Sequence, residues 1–481
     1  MNRIDRRSFL SLAGRSGAAV VMAGLAPQMW PEKRPPTVPS GDPPPNILVI
    51  LVDEWHYPQW FSKQSTLDAL LPNITGLRKS AVNFTQHFSV ATAYTPSRAS
   101  MLTGLYAHQH FCMIDHVSEL QQGFPTFGHF LRQFGYATHW FGAWRLTAGG
   151  DDVGEVGLSY DYLDAHGFAA HVYADALDAP APGVNLADDV ATQVADWLAE
   201  APARAEEPWC AVVSLANPQS YLFTEQMADA QVGVVMAALQ GVPAVKNNTV
   251  VIFTCDRSEY GGARGLRRQR GAVYDEPIHV PFVVKDFSGK LHVLPGERTQ
   301  LTSHVDLAPL LLTIAFGGNG WRTLNECSHL ANRLDLLGLA RNPNATGRSY
   351  VLHTNDEPGM EEAESDHGTL GATTPFHVIG YRTAAGKFSS CSHWRENSTA
   401  ILTEGQETAC YDFATLDRVG AGSTLYARLQ QGLEEDALYA ELRAPLPYAL
   451  TLAQVEARGE YLAYLDECGL HQPLPCVAAR A

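Results

Sequence analysis

Asn46-Ile47-Leu48-Val49-Ile50-Leu51-Val52-Asp53 decides the fold class. Six apolar residues run without interruption from Ile47 to Val52, and acids follow at Asp53 and Glu54. A strand with one face in water alternates apolar and polar side chains; a continuous β-branched run marks a strand covered on both faces. Such strands sit in parallel sheets flanked by helices, and ligands of those sheets bind beyond the strands' carboxyl ends. Asp53 and Glu54 stand at that end.

Working outward, the same strand–helix alternation recurs. Helices are expected at 72–80, 126–134, 186–201, 228–239 and 306–316, and strands at 136–142, 209–216, 249–254 and 279–284. Alternation over this length predicts an α/β fold, with a mostly parallel central sheet and helices on both faces. After residue 375 the pattern changes. His377–Tyr381, Lys387–Ser390 and Thr399–Leu402 read as short strands parted by turn residues, predicting a small antiparallel C-terminal subdomain. The expected organisation is a signal segment at 1–30, a Pro-rich linker at 31–45, a core at 46–350, the subdomain at 351–450, and a helical or irregular tail at 451–481.

Composition narrows the function. The chain has 481 residues, 46% of them hydrophobic, enough for a large core. Lys plus Arg is 34 against 51 for Asp plus Glu, a net charge of −17. That balance argues against nucleic-acid binding. Arg6-Arg7 before a small, apolar stretch to Ala26 has the form of a twin-arginine export signal, so a periplasmic or secreted bacterial protein is expected. The eight cysteines contain no Cys-x-x-Cys; in an oxidising compartment Cys391–Cys410 and Cys468–Cys476 could bridge.

The motifs then become specific. Asn46–Glu54 resembles the opening strand of the sulfatase family, within the alkaline phosphatase superfamily. Thr95-Pro-Ser-Arg-Ala-Ser-Met-Leu-Thr-Gly-Leu-Tyr-Ala-His-Gln-His110 resembles its nucleophile motif. Phe134–Leu146 is similar to the Gly-Tyr-x-Thr…Gly-Lys-Trp-His-Leu element, and Thr249–Gly262 to the strand ending in Ser-Asp-His/Asn-Gly-Glu. Val273–Pro281, Ser303–Leu311 and Ala409–Phe413 match later landmarks in the same order. The resemblance implies one divalent cation, calcium or magnesium, held by carboxylates including Asp53, Glu54 and Asp256. It also implies a formylglycine nucleophile made from a cysteine, and Lys and His side chains on a sulfate ester.

This chain departs from that pattern at the chemistry. The cysteine position, two before Pro96, is Tyr94, so no formylglycine can form. Arg257 replaces the metal-binding His or Asn after Asp256, Ala143 the Lys, Arg145 the His, and Gln219 the His of Asn-Pro-His. The downstream substrate pair falls on Arg264 and Gln269, or Arg270. Arginine has no lone pair to give a metal. Arg257 could instead set its guanidinium in the cation's seat between Asp53 and Asp256, or point to solvent. Tyr94 reads as an aromatic plug or, less simply, a nucleophile. Thr95 is the other candidate nucleophile, and equally a helix N-cap before Pro96, with Arg98 beside it for an anion. The segment after Asn217-Pro218 is short: Ala228 comes ten residues after Pro218, where the family has a long stretch of substrate wall. His108 and His110 have the look of a metal pair, but the family carries them without that use, and a structural role is expected.

The sequence therefore predicts an exported sulfatase-fold protein with a substituted centre, acting by binding a small anionic ester or anion. A working sulfate- or phosphate-ester hydrolase using Tyr94 or Thr95 is the alternative. A protein partner is possible under either.

Overall fold

A computed structural model describes residues 43–53, 55, 64–115, 117–146, 160–170, 186–200, 207–215, 221–258, 274–356, 377–392, 406–415, 417–434 and 446–467. The strands of the main sheet are β1 (Asn46–Val52), β2 (Val82–Phe84), β4 (Ala137–Gly142), β5 (Ala169–Ala170), β6 (Trp209–Leu215), β7 (Thr249–Cys255), β8 (Phe282–Asp286) and β9 (Gly296–Arg298). They lie in the order β5-β4-β6-β1-β7-β8-β2-β9. Pairing is parallel except where β8 runs antiparallel to β7 and β2. A short parallel pair, β3 (His87–Phe88) with β10 (Thr302–Ser303), lies beside it.

β1 shows why the apolar run had no polar face. Ile47, Val49 and Leu51 enter one core; Leu48, Ile50 and Val52 enter the other. The first core takes α1 (Tyr94–Thr103), α3 (Phe127–Gln133) and α6 (Leu307–Phe316), and the second takes α4 (Leu186–Glu200) and α5 (Tyr221–Gly241). The four-residue α2 (Ala107–His110) follows α1. Each fully buried Leu, Ile or Val contributes roughly 1.5–3 kcal/mol, so a strand feeding both cores anchors the sheet.

The second sheet is antiparallel, in the order β11-β12-β13-β14: Val351–Asn355, His377–Arg382, Gly386–Ser392 and Glu407–Asp412. Leu352, Ile379, Tyr381, Phe388 and Cys410 pack with Leu429 of α7 (Thr424–Gly432) and with Val90, Tyr106 and Val305 of the main body. α8 (Tyr448–Glu467) returns to the first core through Leu450, Ala453, Ala457, Tyr461 and Leu465. Among the described residues no helix is long and apolar enough to cross a membrane.

Several local expectations are corrected. The strand expected at 279–284 is Phe282–Asp286, because Pro281 has no N–H for a ladder. The helix expected at 228–239 begins at Tyr221. Thr399–Leu402 lies outside the described residues, and Val351–Asn355 and Glu407–Asp412 flank the β12–β13 pair instead. Cys391 and Cys410 do not bridge: Cys391 pairs with Glu407 and Cys410 with Phe388, three positions apart in register and on opposite faces. Cys468 and Cys476, like Arg6 and Arg7, lie outside the described residues.

His129 illustrates how the core is tuned to pH. Its Nδ1 accepts the Thr126 N–H at 3.1 Å, so its Nε2–H donates to Ala165 O at 3.1 Å. Burial, helped by His166, lowers its pKa to about 4. A depressed folded value gives stability that is full above the unfolded value near 6.5 and lost as pH falls toward 4. Chemical denaturation between pH 7 and 4 should therefore show stability falling with acid, and His129→Gln should flatten that slope. An unchanged slope in the variant would contradict the assignment.

Candidate functional site

β1 and β7 are adjacent and parallel, with Val52 opposite Cys255, so Asp53 and Asp256 leave neighbouring strand ends together. Both carboxylates are buried. α1 aims Arg98 between them. Its Nη2 donates to Asp53 Oδ1 at 2.5 Å and its Nε to Asp256 Oδ2 at 2.8 Å. Its Nη1 donates to Ala143 O at 2.6 Å and Trp144 O at 3.3 Å. The side chain is 0% exposed. Burial works against its charge, but Asp53 and Asp256 outweigh that and raise its pKa. Burial and the nearby Asp53 push Asp256 up, against Arg98 and Arg257.

The segment after β4 completes the cluster. Gly142 has φ 84°, and a Cβ there would run into Ser214 O, so the strand can end in this turn only with glycine. Arg145 then adopts φ 58°, an uncommon backbone for a non-glycine residue. Its Nη2 lies 3.2 Å from Asp53 Oδ2, and its carbonyl accepts the Thr95 hydroxyl at 3.1 Å.

Tyr94 fills the position where the family carries its cysteine. It is 5% exposed, and two guanidinium groups lie over its ring. Arg257 Cζ stands 3.5 Å from the ring centroid and Arg145 Cζ 4.3 Å. Arg257 thus does not point to solvent: it is 1% exposed and lies over the Tyr94 ring, and Arg98 is the arginine that bonds both Asp53 and Asp256. Sequence could not separate the two arginines, because both follow from strand and helix ends and only side-chain reach distinguishes them.

Thr95 is not the N-cap. The helix starts at Tyr94 with Ala93 as N-cap and no side-chain cap, because the Thr95 hydroxyl is turned to Arg145 O and, at 3.1 Å, to Asp115 Oδ1. Asp115 also accepts the Thr95 N–H at 3.1 Å, a partner that no motif had singled out. Beneath the helix Ser97 donates to Asp256 O at 2.5 Å and contacts His304 Nδ1 at 3.1 Å. Glu54, Gln219, Arg264, Gln269 and Arg270 lie outside the described residues.

A divalent cation between Asp53 and Asp256 needs several oxygens at about 2.0–2.6 Å. The residues described do not fit one. Arg98 stands between the two carboxylates and bonds both, and Arg145 reaches the other oxygen of Asp53. Asp53 and Asp256 already pair with Arg98, and Asp53 with Arg145, so a dication would add charge that no described group offsets.

Comparison with known proteins agrees with this layout. The family model described as Sulfatase matches residues 45–227 and 216–318, more than half of the chain. YidJ of Escherichia coli, an uncharacterised sulfatase, is 23% identical over 322 residues, covering 50% of this chain and 62% of that protein. The ulvan-active sulfatase of Formosa agariphila is 26% identical over 299 residues, covering 52% and 58%. The chain thus spans about three fifths of the curated relatives it matches. In fold it is similar to the phosphonate monoester hydrolase SpPMH of Silicibacter pomeroyi, with TM-score 0.56 at 18% identity over 86% of this chain and 95% of that one. It is likewise similar to Ps i-CgsB, solved with k-i-k-neocarrahexaose, with TM-score 0.60 at 15% identity over 88% and 99%. With the opening strand, the helix carrying Arg98 and the Asp256 strand end all inside the matched region, the chain belongs to the sulfatase family.

Proposed function

We propose that this chain is an exported sulfatase-family protein whose hydrolytic centre has been converted into a metal-free anion site, and that it acts by binding a small sulfate- or phosphate-type anion or ester. The observation that carries this reading is Arg98 lodged between Asp53 and Asp256, with Arg145 and Arg257 over the Tyr94 ring. A guanidinium stacked by its face keeps its N–H donors in its own plane, the geometry that matches two oxygens of an oxyanion. Arg145 is partly exposed and leads into the site. The short segment after Pro218 supports an open or differently covered approach.

Hydrolysis would require a nucleophile, a base and charge stabilisation acting as a unit. General acid–base help is worth roughly 10²–10⁴ in rate. The chain has no cysteine to become formylglycine and no His or Lys at the positions of the family's set. One observation favours the alternative, an active hydrolase. The Thr95 hydroxyl lies 3.1 Å from Asp115, within reach of a base. Thr95 is 1% exposed, however, and shares its hydroxyl with Arg145 O. Tyr94 as nucleophile has two guanidinium groups over its ring.

Four outcomes are expected. Purified protein should turn over neither nitrophenyl sulfate nor nitrophenyl phosphate above background. Turnover that Thr95→Ala or Tyr94→Phe abolishes would put the hydrolase reading in its place. Calcium or magnesium should leave the melting temperature of the wild type unchanged, whereas sulfate or phosphate should raise it. Arg98→Ala should cost about 3–5 kcal/mol, because two buried carboxylates lose their partner, and calcium should now recover part of that loss. A wild type that melts lower after chelation and is restored by calcium but not by zinc would show that the seat holds a metal. For export, Arg6→Lys with Arg7→Lys should leave the chain in the cytoplasm; unchanged periplasmic yield would refute the signal.

A further inference from the structure

The geometry points to a second metal site, separate from the Asp53–Asp256 cluster. We propose that His108, Asp356 and His377 bind one first-row divalent transition ion, zinc above all. The three side chains come from three elements: His108 from α2, Asp356 from the end of β11 and His377 from the start of β12. One donor atom from each lies within 4.8 Å of the others. Donors around a tetrahedral zinc stand about 3.4 Å apart at the usual bond lengths, so the triad would close on an ion by drawing its donors in by about 1.4 Å or less. His377 Nδ1 hydrogen-bonds Asp356 Oδ1, and the His108 and His377 rings meet edge to face with centroids 4.9 Å apart.

The ligand chemistry selects the ion. Two imidazoles and one carboxylate suit zinc and its neighbours; calcium and magnesium prefer all-oxygen shells. The surroundings are those of a built site. Asp356 and His377 are almost fully buried, and His108 is partly so, with both of its ring nitrogens shielded from solvent. Tyr461 of α8 donates its hydroxyl to Asp356 Oδ2 and so fixes the carboxylate from outside. Three protein ligands leave a position for water. An ion here would tie the helix following the nucleophile-position helix to the C-terminal sheet and, through Tyr461, to α8. His110, two residues from His108, is not part of the site: its Nδ1 accepts the Cys112 N–H at 3.1 Å and its Nε2 meets Ser100 Oγ at 3.0 Å.

The test uses tag-free full-length protein, stripped with a chelator and titrated with cobalt and then zinc. One equivalent of cobalt per chain should bind, with visible absorption and no thiolate band. His377→Ala and Asp356→Asn should weaken that binding at least ~10-fold, and Tyr461→Phe should weaken it by ~10-fold or more, as loss of an outer-shell partner does. Asp256→Asn should retain it. Near-UV circular dichroism checks that each variant is folded. X-ray absorption of the zinc-loaded wild type decides without any variant: two imidazoles and no sulfur support the site, and fewer than two imidazoles overturn it. Wild-type binding weaker than ~100 μM, or equal affinity in His377→Ala, would also overturn it. Loss of binding in Asp256→Asn but not in His377→Ala would assign the ion to the other cluster.

Discussion

Two carboxylates at neighbouring strand ends set the constraint to which the rest of the site answers. Asp53 and Asp256 are fixed where they are by the β1–β7 pairing, and both are buried. Charges removed from water must be neutralised locally or protonated, and an unpaired buried carboxylate costs several kcal/mol. Arg98 satisfies both with one rigid fork, and its remaining nitrogen is taken by the carbonyls of Ala143 and Trp144. That last contact explains the turn after β4. The chain must bring two carbonyls to Arg98, and it does so through a glycine at φ 84° and an arginine at φ 58°.

The same constraint accounts for Tyr94. Three arginines converging on one strand edge would repel one another if nothing offset it. The Tyr94 ring attracts both Arg145 and Arg257 through its quadrupole, a contact worth roughly 2 kcal/mol or more when desolvated.

How much of this was legible depended on the range of the interaction. β1 declared itself because both faces of one strand are written into consecutive residues. Thr95–His110 and Thr249–Gly262 declared themselves as motifs, and they placed Asp53, Asp256 and Arg98 near one another. The choice of Arg98 over Arg257 as the bridging cation was not legible, because it turns on rotamer reach across a few ångströms. Asp115 was missed for a similar reason: its link to Thr95 crosses a loop with no characteristic spacing. The C-terminal strands were found only where turn residues framed them, which left out Val351–Asn355 and Glu407–Asp412. His108 and His110 were expected to be structural, as the contacts of His110 to Cys112 N–H and Ser100 are; spacing gave no sign that the fold brings His377 and Asp356 to His108 from the far end of the chain.

The two polar clusters differ in how they couple stability to surroundings. A metal ion that stabilises a fold does so by mass action, so its contribution varies with the free ion concentration. A covalently attached guanidinium has no such dependence; Arg98 is present in every folded molecule and pairs Asp53 and Asp256 at any ion concentration. The proposed ion at His108, Asp356 and His377 would sit where dependence on concentration is more tolerable, at the contact between the main body, the C-terminal sheet and α8. There it would adjust how firmly that sheet is held, while the parallel sheet itself rests on the two hydrophobic layers that share β1.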